Sequence, residues 1–246
     1  MNPLFSCPKR ITYYDLDYRG KIKLSALLRM VHEAADVNAK ALGAGYDVLS
    51  PLDITFVLQR FGVSIARMPA YDEEVTIRTW PSDVSKGTFL RRGDMYDKDD
   101  LKIMEWASLW LLFDIKARKV LRPSALPVEL PTLSREGVDI MPEKLPLPGE
   151  EWGQPFSSYR HTVSYRDVDT NIHMNNSIYG DLIGDAIFPF TAGVDNLAAD
   201  WKQVQINYLA EIRLGGEVEV TARRDGDSYY VVGEADGRTA FIARVT

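Results

Sequence analysis

The fold is decided by two stretches, YDLDYRGKIKLSALL at residues 14–28 and RDVDTNIHMNNSIYG at residues 166–180, which align at a constant offset of 152 residues. In each stretch a segment rich in acidic residues leads into apolar residues with helical spacing. The offset continues through both predicted helices, and each helix presents one long apolar face. These faces contain Leu24, Leu27, Leu28, Val31, Ala35 and Leu42 in the first copy, and Ile178, Leu182, Ile183, Ala186 and Phe190 in the second.

Runs of residues with strand character follow each predicted helix. Alternating apolar and polar residues, separated by Asp-Gly turns, are typical of half-buried antiparallel strands. Glu74–Ile77 matches Glu217–Val220 at an offset of 143 residues, so the strands repeat as well. The predicted strands are 56–66, 74–80, 88–96 and 103–113 in the first copy, and 203–210, 217–223, 229–234 and 239–245 in the second.

A strand, a long amphipathic helix and a run of strands can bury the apolar face of the helix only if the antiparallel sheet wraps around it. The sequence therefore predicts an α+β protein with two tandem hotdog domains. We expect an N-terminal domain at 1–122, a proline-rich linker at 123–155 and a C-terminal domain at 156–246. Proline lacks a backbone donor, so the linker should run extended over the surface. The alternative is one α+β domain whose halves resemble each other by accident.

Composition narrows the functional classes. The 246 residues carry 29 Lys and Arg against 35 Asp and Glu, and this net charge of −6 argues against nucleic-acid binding. With no run of about 18 apolar residues and no signal-peptide pattern, we expect no membrane span and a cytoplasmic location. One cysteine, Cys7, and three histidines make a structural zinc site improbable, and we expect no metal or cofactor.

The densest polar segment precedes the second helix. Asp169, Asn171 and His173 alternate, so in an extended chain a carboxylate, an amide and an imidazole would point to one side. Asn175 or Asn176 would cap the helix, whose free N–H groups would face the same cleft, and both asparagines are expected to contribute to substrate binding. The alternative interpretation is a turn rich in Asn and Asp followed by an ordinary helix cap.

The repeat provides an internal control for this segment. Asp169 is matched by another aspartate in the first copy, whereas the amide and the imidazole are not matched. The aligned pairs are Asp17 with Asp169, Arg19 with Asn171 and Lys21 with His173. We therefore expect the shared aspartate to be partly structural and the two unshared residues to carry function.

The pattern Asp-x-Asn-x-His-x-Asn-Asn at residues 169–176 resembles the signature of acyl-carrier-protein thioesterases of the fatty acid pathway, in a bacterial form related to the plant enzymes. The resemblance covers nearly the whole chain. In the first copy it is carried by residues 58–60, 67–75, 79–80 and 91–92. It implies hydrolysis of an acyl thioester.

The resemblance also implies a catalytic position on the strand 206–212, where plant members carry a Glu-Cys pair. This chain has Glu211 followed by Ile212, so a thiol nucleophile is absent there, and Cys7 is too remote to replace it. Water would then attack the thioester, with His173 or Glu211 as general base. The glutamate would need a pKa raised by burial.

In that scheme Asn171 would orient the water or the base, Asp169 would hold the motif, and backbone N–H groups at the helix start would stabilise the oxyanion. The other two histidines, His32 and His161, are interpreted as ordinary helix and strand residues.

Substrate binding is assigned to the first copy. Trp106 and Trp110, with two phenylalanines, would line an acyl tunnel, although most of these aromatic residues are expected in the core. Lys86, Arg91 and Arg92 would form a cationic patch for the acidic acyl carrier protein and its phosphopantetheine-linked chain; the alternative is a solvated hairpin. Coenzyme A thioesters, a non-catalytic acyl-carrier sensor and a dehydratase are alternative functions. The family resemblance favours a homodimer.

Overall fold

The computed structural model describes residues 2–147, 149, 152–188 and 201–246. Three α-helices lie in these ranges: α1 at Leu24–Ala41, α2 at Tyr46–Leu49 and α3 at Ile178–Ile187. Both long helices begin where the apolar spacing predicts. Phe190, predicted on the apolar face of the second helix, lies outside the described residues. None of the helices in the described ranges combines the length and apolar character needed to cross a bilayer.

Eight strands follow the predicted order, and several of them extend the prediction by one to five residues. The strands at Phe5–Arg10, Lys119–Leu121 and Pro155–Thr162 have no predicted counterpart. The first half contains β1 (Phe5–Arg10), β2 (Ile54–Ile65), β3 (Glu74–Ser85), β4 (Thr88–Tyr96), β5 (Lys102–Asp114) and β6 (Lys119–Leu121). The second contains β7 (Pro155–Thr162), β8 (Gln203–Tyr208), β9 (Glu217–Asp225), β10 (Ser228–Ala235) and β11 (Arg238–Val245). The strand predicted at 203–210 is shorter in the structure, because β8 ends at Tyr208.

The strands within the described ranges form one continuous antiparallel sheet. Its order is β1-β3-β4-β5-β2-β8-β11-β10-β9-β7, and β6 pairs with β5. Read outward from the central β2–β8 pair, the two halves have the same connectivity. The sheet therefore consists of two copies of one unit related by a pseudo-twofold axis between β2 and β8.

The register confirms the repeat residue by residue. Lys9 of β1 lies opposite Val75 of β3, and His161 of β7 lies opposite Val218 of β9. These pairs keep the offsets of 152 and 143 residues that the sequence shows. An accidental resemblance between the halves would not preserve both the order of the strands and the pairing partners of individual residues.

Both long helices pack on the same face of the sheet and share one core with it. The helices approach each other most closely at Gly180, where a Cβ atom would overlap the backbone of Leu24 and Ser25. The Ser25 hydroxyl donates a hydrogen bond to Asp181 across this contact. The absence of a side chain at Gly180 therefore allows the two helix starts to meet at the pseudo-twofold axis.

The proline-rich linker crosses the outer face of the sheet at the junction. Gln205 Oε1 accepts a hydrogen bond from the Glu143 backbone N–H (3.0 Å), and Asn207 Oδ1 accepts one from that of Leu145 (2.9 Å). The amide groups of the same two side chains donate to the carbonyls of Met141 and Glu143. The two buried amide side chains thus bind the linker backbone as a neighbouring strand would, although proline restricts strand pairing there.

Candidate active site

The polar motif forms a tight turn, and the prediction of an extended segment is wrong. Val168 and Met174 form an antiparallel bridge. Inside it, the Asp169 N–H donates to the His173 carbonyl (3.2 Å) and the Ile172 N–H to the Asp169 carbonyl (3.0 Å). Asp and Asn favour such chain reversals because their side chains bind the backbone two residues on. Asp169 and His173 meet because the chain turns back, and not because alternate residues share one side.

The turn brings the aspartate and the histidine together and leaves the asparagine side chain exposed beside them. Asp169 Oδ1 accepts a hydrogen bond from the Asn171 backbone N–H (2.8 Å) and lies 4.0 Å from His173 Nδ1. His173 Nδ1 also faces the Met174 carbonyl at 3.5 Å. Within the described ranges, His173 Nε2 has no hydrogen-bond partner, and the Asn171 side chain is exposed. One nitrogen of the imidazole is therefore oriented by the protein, and the other has no hydrogen-bond partner among the described residues.

Ile172, at the tip of the turn, adopts a left-handed backbone conformation with φ of 62°. This conformation is a genuine outlier for a β-branched residue, because its Cβ approaches the following carbonyl too closely. Such strain clusters at functional sites in proteins. The motif therefore holds its shape at a local cost in stability.

A second segment pairs with the turn and completes the site. The Met174 N–H donates to the Ile212 carbonyl (2.7 Å), and His173 forms an antiparallel bridge with Arg213. This pairing places Glu211 beside the motif. Glu211 lies after the end of β8, and not within a strand as predicted. Ile212, in the position of the plant thiol, is buried at 2% exposure.

Glu211 is held by two arginines, one from each half of the chain. Its Oε1 lies 2.8 Å from Nη2 of Arg118, in the β5–β6 turn, and 2.8 Å from Nη2 of Arg213. Burial acts to raise the pKa of Glu211, but the hydrogen bonds and charges of both arginines outweigh it, and the pKa lies below the ordinary value. The expectation of a raised pKa is therefore wrong, because burial is accompanied by two cations.

Tyr179, in the first turn of α3, is a further polar group at this site. Its side chain is 3% exposed and packs edge-on against Tyr208 and Phe241. Burial, together with the charges of Glu211 and Asp169, raises the pKa of Tyr179, so the hydroxyl stays protonated near neutral pH. It makes no hydrogen bond to any described residue and is free to donate one to a ligand.

The start of α3 differs slightly from prediction. Ser177 occupies the cap position, and Asn175 Oδ1 accepts hydrogen bonds from the Ser177 backbone N–H (2.9 Å) and hydroxyl (2.8 Å). The backbone carbonyl of Asn176 accepts a hydrogen bond from the Tyr208 hydroxyl (3.3 Å). The two asparagines therefore fix the approach to the helix and neither is its cap.

The residues assigned to substrate binding in the first half lie apart from this cluster. Trp106 is 2% exposed and fills the space above Gly93, so it is a core residue. Arg91 is 8% exposed and points into the interior, while Arg92 donates to linker carbonyls, including Ile140 (3.0 Å). Lys86 is exposed in the β3–β4 turn. The three cations thus do not form one docking patch, because β4 turns Arg91 inward and Arg92 toward the linker.

Trp110 and the two remaining histidines also have defined environments. Trp110 lines a cavity beside α1, and His32, an ordinary helix residue by prediction, packs edge-on against it there. His161 Nε2 lies 3.0 Å from Asp167 Oδ2, so this histidine is part of a buried polar cluster rather than an isolated strand residue. Cys7 is in the edge strand β1, opposite Ile77.

Sequence reasoning missed two residues of the site. Tyr179 aligns with Leu27 at the 152-residue offset, so the criterion that singled out Asn171 and His173 would have found it too. Arg118 carries no such signal, because it reaches Glu211 only through the packing of one half on the other. Of the groups described, no three or more His, Cys, Asp or Glu side chains are placed to hold a metal ion.

Comparison with known proteins gives concordant results for both halves. The model of the acyl-ACP thioesterase N-terminal domain matches residues 5–125, and that of the C-terminal domain matches residues 153–238. No curated protein sequence matches the chain.

Solved structures share the fold over the full length. An acyl-ACP thioesterase from Bacteroides thetaiotaomicron is 21% identical with a TM-score of 0.81, covering 99% of this chain and 97% of its own. The 12:0-ACP thioesterase from Umbellularia californica is 18% identical with a TM-score of 0.84, covering 100% and 97%. At these identities the structures support the fold alone.

The tandem sheet and the two matched domains define a thioester hydrolase with two hotdog units. More specifically, the chain belongs to the acyl-ACP thioesterase family.

Proposed function

We propose that this acyl-ACP thioesterase hydrolyses its substrate by direct attack of water, at a site formed by Asp169, Asn171, His173, Tyr179 and Glu211. The observation that carries the proposal is the turn that places Asp169 beside His173 and pairs with the segment bearing Glu211. No thiol or hydroxyl nucleophile with a neighbouring base is found at this place among the described residues. Hydrolysis without a covalent intermediate is consistent with Ile212 in the thiol position.

His173 is the general base in this scheme. Its Nδ1 faces a carbonyl and the Asp169 carboxylate, so Nε2 can carry the lone pair that accepts a proton. Water transfers a proton to Nε2 while its oxygen attacks the thioester carbonyl carbon. The tetrahedral intermediate then collapses to the free acid and expels the thiolate. The thiolate takes the proton from His173 Nε2. Asn171, exposed beside the turn, orients the water.

Glu211 acts by charge and position rather than as the base. Its Oε1 accepts hydrogen bonds from Arg118 and Arg213, and its depressed pKa makes it a weak proton acceptor near neutrality. Its negative charge favours the imidazolium that forms during attack. The proposed proton donor for the oxyanion is the Tyr179 hydroxyl. The N–H groups of Ser177, Ile178 and Gly180 at the start of α3 already donate to the Asn175 side chain and to backbone carbonyls, so they are not free for this role.

The carrier is proposed to dock at the mouth of this site and not at the β4 arginines. Arg118 and Arg213 have side chains 55% and 70% exposed, and they share a single carboxylate. One positive charge therefore remains uncompensated there and suits a phosphopantetheine phosphate. Lys86 stays a candidate for a more distant contact.

The test is thiol release from acyl-ACP by the purified protein and by His173→Ala, Asn171→Ala and Glu211→Ala variants. Each should lose most turnover while its melting temperature stays close to that of the wild type. Full activity in all three would contradict the proposed site. Asp227→Ala, in the exposed β9–β10 turn, is a control for surface substitution.

Carrier choice is tested by kcat/KM on matched acyl-ACP and acyl-coenzyme A. A higher value for acyl-ACP supports the proposal, and a higher value for acyl-coenzyme A supports the alternative. Binding without thiol release would indicate a sensor, and dehydration without thiol release would indicate a dehydratase.

We also propose that the chain divides into domains at 1–122 and 156–246, joined by the linker at 123–155. We further propose that the protein is a homodimer and that it is located in the cytoplasm. The homodimer rests on the family resemblance, because the β2–β8 pairing already joins two hotdog units in one chain and the sheet does not need a second chain. Analytical ultracentrifugation distinguishes a dimer from a monomer.

A further inference from the structure

A cavity in the first half lies apart from the proposed catalytic cluster. It has a volume of about 210 Å³ and lies between α1 and the sheet. This is roughly seven times the volume per water molecule in the liquid, enough for a short aliphatic chain. Its walls are mainly apolar and include Ala35, Leu49, Phe56, Phe89 and Trp110.

A buried cation also lines the cavity. Arg91 is 8% exposed, and its Nη1 donates to Asn38 Oδ1 (2.7 Å) and Thr79 Oγ1 (3.3 Å). Both acceptors are neutral, and within the described ranges no carboxylate forms an ion pair with Arg91. Its Nε and Nη2 donors have no acceptor there. A buried charge without a counterion costs several kcal/mol, so a purely structural role would be expensive.

A second polar atom in the same cavity lacks a partner. His32 Nε2 is buried and makes no hydrogen bond to the described residues. Burial lowers the pKa of His32 to about 4, so the ring is neutral near pH 7 and can donate one hydrogen bond. Asp36 and Asp83 also line the cavity, but both are exposed, and neither pairs with Arg91.

We propose that this cavity binds an aliphatic carboxylate, with the carboxylate on Arg91 and His32 and the alkyl chain against the apolar wall. A guanidinium pairs with a carboxylate through parallel hydrogen bonds, which would use the free Arg91 donors and supply the missing counterion. A cavity intended only for a hydrocarbon tail gains nothing from a buried cation. The carboxylate can come from a free fatty acid or from an acyl chain that ends in a carboxyl group.

Binding is measured by calorimetry with three probes that share one alkyl chain: octanoate, octan-1-ol and octylamine. The wild type should bind octanoate on the order of 10- to 100-fold more tightly than octanol, as expected for hydrogen bonds to a charged group. Octylamine should bind most weakly. Equal binding of octanoate and octanol, or tightest binding of octylamine at the exposed aspartates, overturns the proposal.

Variants separate the charge from the fold. Arg91→Met should abolish the preference for octanoate while keeping octanol binding, and Arg91→Lys should keep part of the preference. His32→Phe should reduce it less than Arg91→Met. Arg78→Met, on the neighbouring strand β3 and outside the cavity, should leave the preference unchanged. A preference that survives in a folded Arg91→Met variant would show that Arg91 does not bind the carboxylate.

Two kinetic measurements identify the source of the carboxylate, and they rest on the proposed hydrolysis, whereas the calorimetry does not. Inhibition of turnover by octanoate that Arg91→Met relieves indicates a free fatty acid. A higher kcat/KM for a thioester with a terminal carboxyl group, lost in Arg91→Met, indicates a substrate group. Absence of hydrolysis with octanoate binding intact would contradict the proposed function and leave this site standing.

Discussion

The turns at residues 16–22 and 168–174, which precede the two long helices, have the same backbone but different chemistry. Each is closed by an antiparallel bridge between its end residues. In each, an aspartate carboxylate accepts a hydrogen bond of 2.8 Å from the backbone N–H two residues on, at Asp17 in the first turn and Asp169 in the second. The shared aspartate therefore builds the turn.

The side chains that project from the turns differ. In the first turn Arg19 pairs with Asp17 at 2.8 Å, so the carboxylate is neutralised. In the second turn the equivalent residue is the exposed Asn171, and the Asp169 carboxylate faces His173. On this shared backbone, Asn171 in place of Arg19 and His173 in place of Lys21 provide the polar groups that distinguish the candidate catalytic turn from the structural one.

The most direct test of the comparison replaces two residues of the second turn by their counterparts in the first turn. The double variant Asn171→Arg/His173→Lys should reduce kcat/KM by at least about 100-fold, because a positioned general base contributes 10²- to 10⁴-fold. Circular dichroism should show an unchanged fold, since the first turn accommodates the same residues. Retention of activity would exclude His173 as the base. The reciprocal variant, Arg19→Asn/Lys21→His, serves as the control.

The polar clusters that precede the turns offer a second test. Asp167 accepts hydrogen bonds from the Ser164 N–H and hydroxyl and from His161, and these outweigh the effect of burial and lower its pKa. Asp167→Asn should cost about 1–3 kcal/mol of unfolding free energy at pH 7. The pKa of Asp167 is lower in the folded protein than in the unfolded chain, where it is about 3.9, so the ionised side chain stabilises the fold at any pH above about 3.9. This stabilisation is lost as the pH falls through the pKa of the folded state.

The measurement is urea unfolding between pH 7 and pH 3, with the difference between wild type and Asp167→Asn shrinking toward acid. Asp15→Asn is the matched variant in the first half, where Asp15 accepts hydrogen bonds from Thr12 in the same way and faces Arg29 at 3.4 Å in place of a histidine. If His161→Phe leaves the cost of Asp167→Asn unchanged at every pH, His161 contributes nothing to this cluster.

Arg118, from the first half, forms an ion pair with Glu211 in the second half. Its removal tests how far the candidate site in the second half depends on the first. Arg118→Met should lower kcat/KM about fivefold, because an exposed ion pair contributes about 1 kcal/mol at most. Both arginines lower the pKa of Glu211, so removing one raises it. The acid limb of the pH–rate profile should therefore move to higher pH. An unmoved acid limb would mean that the ionisation of Glu211 does not affect turnover.

The smallest expected effect concerns the tip of each turn. Gly20 and Ile172 occupy equivalent positions with φ of 74° and 62°. A left-handed conformation costs a β-branched residue about 1–2 kcal/mol, whereas glycine loses about 0.5–1 kcal/mol of chain entropy. Ile172→Gly should stabilise the protein by about 0.5 kcal/mol, and Gly20→Ile should destabilise it. A lower melting temperature in Ile172→Gly would mean that the exposed Ile172 side chain makes favourable contacts.

The fold was predictable because the sequence patterns that specify it are local and occur twice in the chain. The offsets of 152 and 143 residues, together with helical and alternating periods, were sufficient to predict both long helices and eight of the described strands, but not β1, β6 and β7. Strand ends were less accurate, as at Tyr208, because pairing partners and not propensity decide where a strand stops.

The site was predictable only as a set of residues. Asp169, His173 and Glu211 do lie together, but their contacts depend on a turn that alternation does not predict. The inward orientation of Arg91, the reach of Arg118 to Glu211 and the two amide side chains beneath the linker all depend on distant segments. A sequence pattern carries no signal for such contacts because each is fixed by packing across the sheet.

The pairing of β2 with β8 within one chain has a consequence for how the two units can change. In an assembly of two identical chains, every substitution appears twice, so an improvement in one copy is constrained by its effect in the other. Here the gene specifies each copy separately, and a substitution in one turn leaves its counterpart as it was. The protein can therefore place a strained candidate catalytic turn in one unit and a cavity with a buried cation in the other, an asymmetry that two identical units cannot have.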